Sequence, residues 1–456
     1  MEYENRTENP LGVLPVPVLL KKFAVPSIIA MLTSALYNIV DQFFIGNSVG
    51  ALGNAATNIA FPLSTACISI ALLFGIGGAS AFNLAKGRGN EEEAVHCMGN
   101  AITGMMVLGC LLLLVTQLFL EPMIRFFGAP DSIMEYAKTY IRITSLGFPV
   151  LILTAGGGHL IRADGSPKMS MICNVTGAII NTILDALFVF GFEWGMAGAA
   201  WATVTGQYIS VMLVIRYLSH CKTVDLKPKH LKPAAGYMKK DVTLGAASCS
   251  NQLAMMVVQL VMNKSLTYYG ALSSYGQEIP LACAGIITKV NQVFFSIIIG
   301  ISQGLQPIVS YNYGAKQYDR VKKGYLLAAK SGLMISVIAF LIFQIFPRQI
   351  IAIFGNGSEE YIRFAVSYFR IFLFFTFLNF IQPITSNSFT AIGKPGLGMF
   401  LSLTRQILFL LPLIVILPFF IGIDGILFAG PIADGLAGAV AVFLMYRELK
   451  RPEYRV

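Results

Sequence analysis

Apolar residues along this chain come in long unbroken runs, separated by short clusters of Gly, Pro and charged positions. The runs are continuous rather than alternating, which is the pattern of helices and not of a barrel's half-lipid, half-lumen strands. Each is long enough to cross about 30 Å of hydrocarbon as a helix. Twelve emerge, over residues 23–45, 53–82, 96–120, 136–160, 169–192 and 196–218, then 241–269, 280–311, 324–346, 361–391, 396–421 and 424–446. Lipid offers the backbone no hydrogen-bond partners, so helices that satisfy their own N–H and C=O groups are the structure such runs can adopt. The pattern predicts an all-α membrane protein.

The two sets of six repeat one another at an offset of 227–228 residues. Gly77 and Gly87 match Gly304 and Gly314; Tyr140, Arg142 and Ile143 match Tyr368, Arg370 and Ile371. Ala163, Gly165 and Pro167 match Ala391, Gly393 and Pro395, and Gly195 and Gly198 match Gly422 and Gly425. Four sets in order at one spacing imply a duplication. An even number of spans per copy inserts both halves the same way up, related by an axis along the membrane normal. The expected organisation is an amino-terminal six-helix lobe over 1–218, a basic linker over 219–240, a carboxy-terminal six-helix lobe over 241–446 and a tail over 447–456.

Composition agrees: 55% of the 456 residues are apolar and 12% charged, about half the charged fraction of soluble domains. Mean hydropathy is +0.69. The net charge of +10 would suggest nucleic acid were it not for its placement. With the amino terminus cytoplasmic, the inner segments hold Arg6, Lys21, Lys22, Lys86, Arg88, Arg162 and Lys168, the six lysines of the linker, Lys316, Arg320, Lys322, Lys323, Lys394, Arg447, Lys450, Arg451 and Arg455. Outer loops hold Arg125 and Arg348 beside Glu121, Asp131, Glu193, Glu278, Glu359 and Glu360. That asymmetry predicts both termini in the cytoplasm and leaves no basic excess for nucleic acid. The seven cysteines contain no CxxC pair and read as small buried hydrophobes. Residues 1–20 lack the basic start and short apolar core of a cleavable signal, so span 1 is expected to serve as the insertion signal.

Charged and amide residues within spans then become the informative ones, since each Asp or Lys at a helix centre costs about 2.5–3.5 kcal/mol on insertion scales. Asp41 lies late in span 1, one turn after Tyr37. Asp185 lies in span 5 with Asn181 one turn before it and Asn174 seven residues before that, all on one stripe. Thr203 and Gln207 form a one-turn pair in span 6. Two carboxylates, an amide and a hydroxyl are hard oxygen ligands suited to Na⁺ or to a shared proton. The second half is expected to lack such acids and to carry bases instead: Lys264, Lys289 and Arg405. Lys289 and Arg405 are candidates for substrate contact, and Lys264 for snorkelling outward. Pro26 should kink span 1, making that helix a candidate moving part.

The stretch from Tyr37 through Asp41 to Gly46, the run from Gln306 to Ala315, and the turns at Gly165-Ser166-Pro167 and Gly393-Lys394-Pro395 resemble the multidrug and toxic compound extrusion (MATE) transporters, over essentially the whole chain. The resemblance implies two bundles arranged as a V and antiport of Na⁺ or H⁺ against mostly cationic, aromatic drugs. It also implies a cation site, or a sodium site if Na⁺ is the coupling ion, at Asp41, Asn181, Asp185 and Thr203, the pattern of the branch with its acids in the amino lobe. Substrate contacts are expected from Tyr37, Asn38, Tyr140, Asn174, Gln207, Lys289 and Arg405. The chain is thus expected to be no enzyme, since no nucleophile–base pair or HExxH is present. It should need no cofactor, and should work as a monomer in the plasma membrane on small-molecule drugs or metabolites. A flippase or exporter for lipid-linked or other amphiphilic metabolites is the alternative, favoured if several Arg or Lys line the cavity.

Overall fold

The structure, a computed structural model, describes residues 9–276, 278–353 and 358–454; Arg6 and Arg455 lie outside them. Among the described residues, eleven helices are long and apolar enough to cross a membrane, and the pair Asp131–Ser145 and Phe148–Ala163, bent by 55°, completes twelve. Spans 1–3 are Val16–Ser48, Ala51–Gly87 and Glu91–Leu118. The bent pair is span 4, Pro167–Asp185 with the π-helical turn Ala186–Gly191 is span 5, and Gly195–Leu218 is span 6. Spans 7–9 are Ala235–Ala271, Glu278–Gly314 and Tyr318–Ile345. Glu359–Phe372 and Ile381–Ala391 make span 10, Pro395–Ile421 is span 11 and Ile423–Leu449 span 12. The chain is a multi-pass membrane protein.

The duplication is visible element by element. Spans 2 and 8 have 37 residues each and spans 3 and 9 have 28 each, and short helices Leu120–Phe126 and Pro347–Ile353 follow spans 3 and 9. Spans 4 and 10 are both broken midway. In span 4, Pro149 has no N–H to give the Ser145 carbonyl, and the helix bends there. The Gln117 amide caps the Arg142 carbonyl at 2.8 Å, and its counterpart Gln344 caps Arg370 at 3.0 Å. The turns that open spans 5 and 11 place Gly165 at φ +87° and Gly393 at φ +76°, a left-handed conformation that a Cβ opposes.

Buried apolar side chains form one large cluster per lobe. Span 1 belongs to both. Leu19, Leu20, Phe23 and Ala24 near its start pack into the carboxy-lobe cluster, whereas Ile45 near its end packs into the amino-lobe cluster. Span 1 therefore ties a residue such as Asp41 mechanically to the opposite lobe.

The lobes meet along a seam at the membrane face that carries both termini. Gly87 and its repeat partner Gly314 touch each other there, each lacking the Cβ that would hold the backbones apart. A Cβ on Gly304 would lie 2.6 Å from the Ala24 backbone, and one on Gly300 2.6 Å from Ile28. Gly77 faces the Asp241 carbonyl and Gly245 faces Leu73 just as closely. The Gln306 amide of span 8 donates to Ile76 O at 3.1 Å and Ser80 Oγ at 2.8 Å on span 2. These approaches lie toward the terminal face, so the V of two bundles is closed at that end. The linker takes part: Ala234 N donates to Asn100 Oδ1 and Thr103 Oγ1 to Leu231 O, strapping it to span 3.

Candidate functional site

Spans 5 and 6 approach closely because Gly177 and Gly206 face each other. A Cβ on Gly206 would lie 2.9 Å from Gly177 O and 3.0 Å from Asn181 Cβ. That proximity lets two short side chains meet: Asn181 Nδ2 donates to Thr203 Oγ1 at 3.2 Å. The amide is thereby oriented, with its carbonyl oxygen turned away from Thr203. The Tyr37 hydroxyl of span 1 also hydrogen-bonds with Thr203, and it lies within electrostatic reach of both Asp41 and Asp185. Tyr140, on the first piece of the broken span 4, is reached by the same two carboxylates and by Tyr37. Asp41 in turn acts on Asp185. Spans 1, 4, 5 and 6 thus converge on one point, and the two acids share one environment.

All four expected ligands are buried: Asp41 is 8% exposed, Asn181 3%, Asp185 0% and Thr203 8%. What distinguishes the site is acceptor surplus. Among the described residues, Asp41 Oδ1, Asn181 Oδ1 and both oxygens of Asp185 find no hydrogen-bond partner, although buried polar atoms ordinarily do. Converging hard oxygens without donors are what a bound proton or an alkali cation would satisfy. Among the described residues no cluster of three or more His, Cys, Asp or Glu could hold a metal ion; the set here is two carboxylates with amide and hydroxyl oxygens, which suits a proton or Na⁺ better than a transition metal.

The remaining candidates are placed differently. Gln207 is half-buried beside Gly147 with its Oε1 unpartnered, one turn from Thr203. Asn38 is exposed and donates to Ser34 O of its own helix. Asn174 donates to Ser170 O and lies near Gly158 and the Arg162 guanidinium, two turns from Asn181. Lys289 is half-buried on span 8 and makes no ion pair among the described residues. Arg405 sits in the π-helical stretch Thr404–Leu410 of span 11 and is bound through Nε to Asp434 Oδ1 at 2.5 Å. Pro26 is buried, and the residues around it, Ala24 and Ile28, are those pressed against Gly304 and Gly300 at the seam.

One expectation is overturned. The second half does not lack buried acids: Asp434 of span 12 is 4% exposed and Asp241 of span 7 is 0% exposed. Asp434 lies between apolar stretches in Ala433-Asp434-Gly435, so its signal was present in the sequence. Asp241 falls at the first position of the expected span 7, next to the linker lysines, and so reads as solvated; the helix actually begins earlier, at Ala235, which carries Asp241 inside. Tyr368, the repeat partner of Tyr140, is buried against Met262 Sδ at 3.9 Å. Among the described residues, the two carboxy-lobe acids stand apart from one another: Asp434 is bound to Arg405, and Asp241 lies against Gly77 at the seam.

A family model described as MatE matches residues 26–187 and 247–416. The multidrug export protein MepA of Staphylococcus haemolyticus is 25% identical over 427 residues, covering 93% of this chain and 92% of that protein. Among solved structures, a MOP superfamily transporter from Pyrococcus furiosus superposes with a TM-score of 0.89 at 20% identity, over 96% of this chain and 97% of the other. An outward-facing multidrug resistance MATE family transporter gives 0.89 at 21%, over 97% and 98%. These likenesses show a common fold.

Proposed function

The chain belongs to the MatE family, a family of transporters rather than enzymes, and from that premise we propose that it is a secondary multidrug efflux antiporter. It exchanges H⁺ or Na⁺, bound at Asp41, Asn181, Asp185 and Thr203, for small amphiphilic, mostly cationic organic molecules. The named relatives, multidrug export proteins, support the substrate class. The observation that carries the reading is the set of unpartnered oxygens on Asp41, Asn181 and Asp185, placed where a helix shared by both lobes meets spans 5 and 6. A cation arriving there draws Asp41 toward Asn181 and Asp185 and redirects the far half of span 1. Because the near half of span 1 is packed into the carboxy lobe, ion occupancy biases how the lobes sit together. Drug binding in the cleft favours the other arrangement, so the inward ion gradient drives export. Tyr37 and Tyr140, within electrostatic reach of both acids, couple ion occupancy to substrate binding; Asn38 of span 1 and Gln207 of span 6 offer amides.

The protein works as a single chain in the plasma membrane, termini and linker in the cytoplasm, with no cofactor beyond the coupling ion. The basic inner segments support that orientation. The flippase reading needs several free cationic side chains at the cavity; Arg405 is already paired with Asp434, leaving Lys289 as the candidate base with no ion pair among the described residues, so the antiporter is preferred. The test is drug flux in proteoliposomes under separately imposed Na⁺ and pH gradients. One gradient should drive efflux in wild type, and Asp41→Asn or Asp185→Asn should abolish it. Equal gradient-driven flux in both variants overturns the reading.

A further inference from the structure

Asp241 has no part in the exchange described above, yet it is a buried acid at the seam. It is fully buried, and neither carboxylate oxygen has a hydrogen-bond partner among the described residues. Its backbone carbonyl is pressed against Gly77 of span 2. Ala81 and Leu84 of span 2, Cys97 of span 3 and Leu244 of its own helix form a small apolar cluster beside it, with Tyr237 and Tyr313 at the edge. The titratable groups around it are Cys97, on which its charge acts, and Lys240, which acts on it. Lys240 is committed to Glu93 of span 3 at 2.5 Å. Asp241 therefore sits where the carboxy lobe's span 7 is clamped between the amino lobe's spans 2 and 3.

An ionised carboxylate enclosed in this way has lost water and found no compensating donor. The surroundings offer a thiol, aromatic rings and apolar side chains, not the several oxygens a sodium ion requires. We propose that Asp241 is a second proton-binding site, at the lobe seam, loaded while the seam is closed and emptied when it opens to water. It rests on the reading that transport opens this seam. The site binds and releases its proton from the same membrane face, so it moves no net charge across; it sets how readily the seam parts. The sign follows from linkage: the closed form holds one more proton than the open one, so closure is favoured at low pH on that face and lost as pH rises, by up to about tenfold in the open-to-closed ratio per pH unit.

Cys97 supplies a native reporter, because it is buried at the seam. Full-length protein in lipid nanodiscs, without drug, is treated with a maleimide from about pH 6 to about pH 9, and labelling of Cys97 relative to its labelling in the detergent-denatured chain at the same pH is read by peptide mass spectrometry. The wild-type ratio should climb with pH. In Asp241→Asn, which imitates the protonated acid, it should stay low throughout, and Asp241→Glu should retain the climb. A wild-type ratio that does not change with pH overturns the proposal without recourse to any variant, as does an Asp241→Asn ratio that climbs like wild type. Cys97 labelling that stays absent at every pH even with drug and the coupling ion added would instead show that the seam does not open, and would remove the transport cycle and this site together.

Discussion

At the scale of single residues, the account turns on which oxygens lack donors. Thr203 is not itself an orphan; it accepts from Asn181 and bonds with Tyr37, which fixes the orientation of the amide whose carbonyl faces the ion. Thr203→Val keeps the shape and removes that anchor. Coupling-ion affinity, measured by ion titration of purified protein, should weaken about 10- to 100-fold, as for other partners that orient ligands, while the fold is unchanged. Asp185→Asn should behave differently. It removes a buried charge with no partner, so thermal unfolding in detergent should shift upward even as coupled flux disappears. The residues of this site were legible in the sequence because acids and amides inside apolar spans are rare. What could not be read was their companionship: nothing in the spacing says that Tyr140, far from Tyr37 along the chain, is reached by the same two carboxylates. The same limit hid Asp241, whose surroundings depend on where a helix begins rather than on the residue itself.

At the scale of elements, small residues decide what can meet. Gly206 lets spans 5 and 6 approach until Asn181 reaches Thr203. Gly206→Ala would set a methyl carbon 2.9 Å from Gly177 O, forcing the spans apart by a few tenths of an ångström. The expected result is weaker ion binding in a protein that still folds, and ion titration beside circular dichroism checks it. The linker is a second element with its own chemistry. His230 is buried, accepts at Nδ1 from Lys227 N at 3.0 Å and stands edge-on to His96, 4.9 Å between ring centres. Burial, then His96 and the lysines 229 and 227, push its imidazole below the ordinary 6.5. The folded linker thus binds a proton less readily than a detached one. Its attachment is undiminished above about pH 6.5 and weakens as pH falls below that value, which faster hydrogen exchange of residues 228–234 at pH 5 than at pH 7, after correction for intrinsic rates, would register. Helix existence and order were readable from apolar runs. The breaks in spans 4 and 10 and the π-helical turns after Asp185 and at Arg405 were not: Pro149 stands at a break, but Pro26, Pro62, Pro307 and Pro431 sit inside continuous helices, so a proline alone does not mark where a span divides.

At the scale of the whole molecule, duplication and asymmetry work together. The repeat supplies an axis at which Gly87 and Gly314 touch, and a seam that is able to part symmetrically. Gly314→Leu should keep the seam from closing fully; the variant should bind drug but turn over more slowly, which single-turnover flux separates from steady state. Asymmetry supplies direction, since the converging acids lie in one lobe while span 1 is rooted in the other. The central claim is that these acids hold the ion that drug binding displaces. It is tested most directly by adding drug to purified protein in weakly buffered solution and recording proton release with a pH indicator, and Na⁺ release with a sodium electrode. The account predicts release of one of the two ions in proportion to drug bound, and none from Asp41→Asn or Asp185→Asn; drug binding that displaces neither ion from the wild-type protein would contradict it.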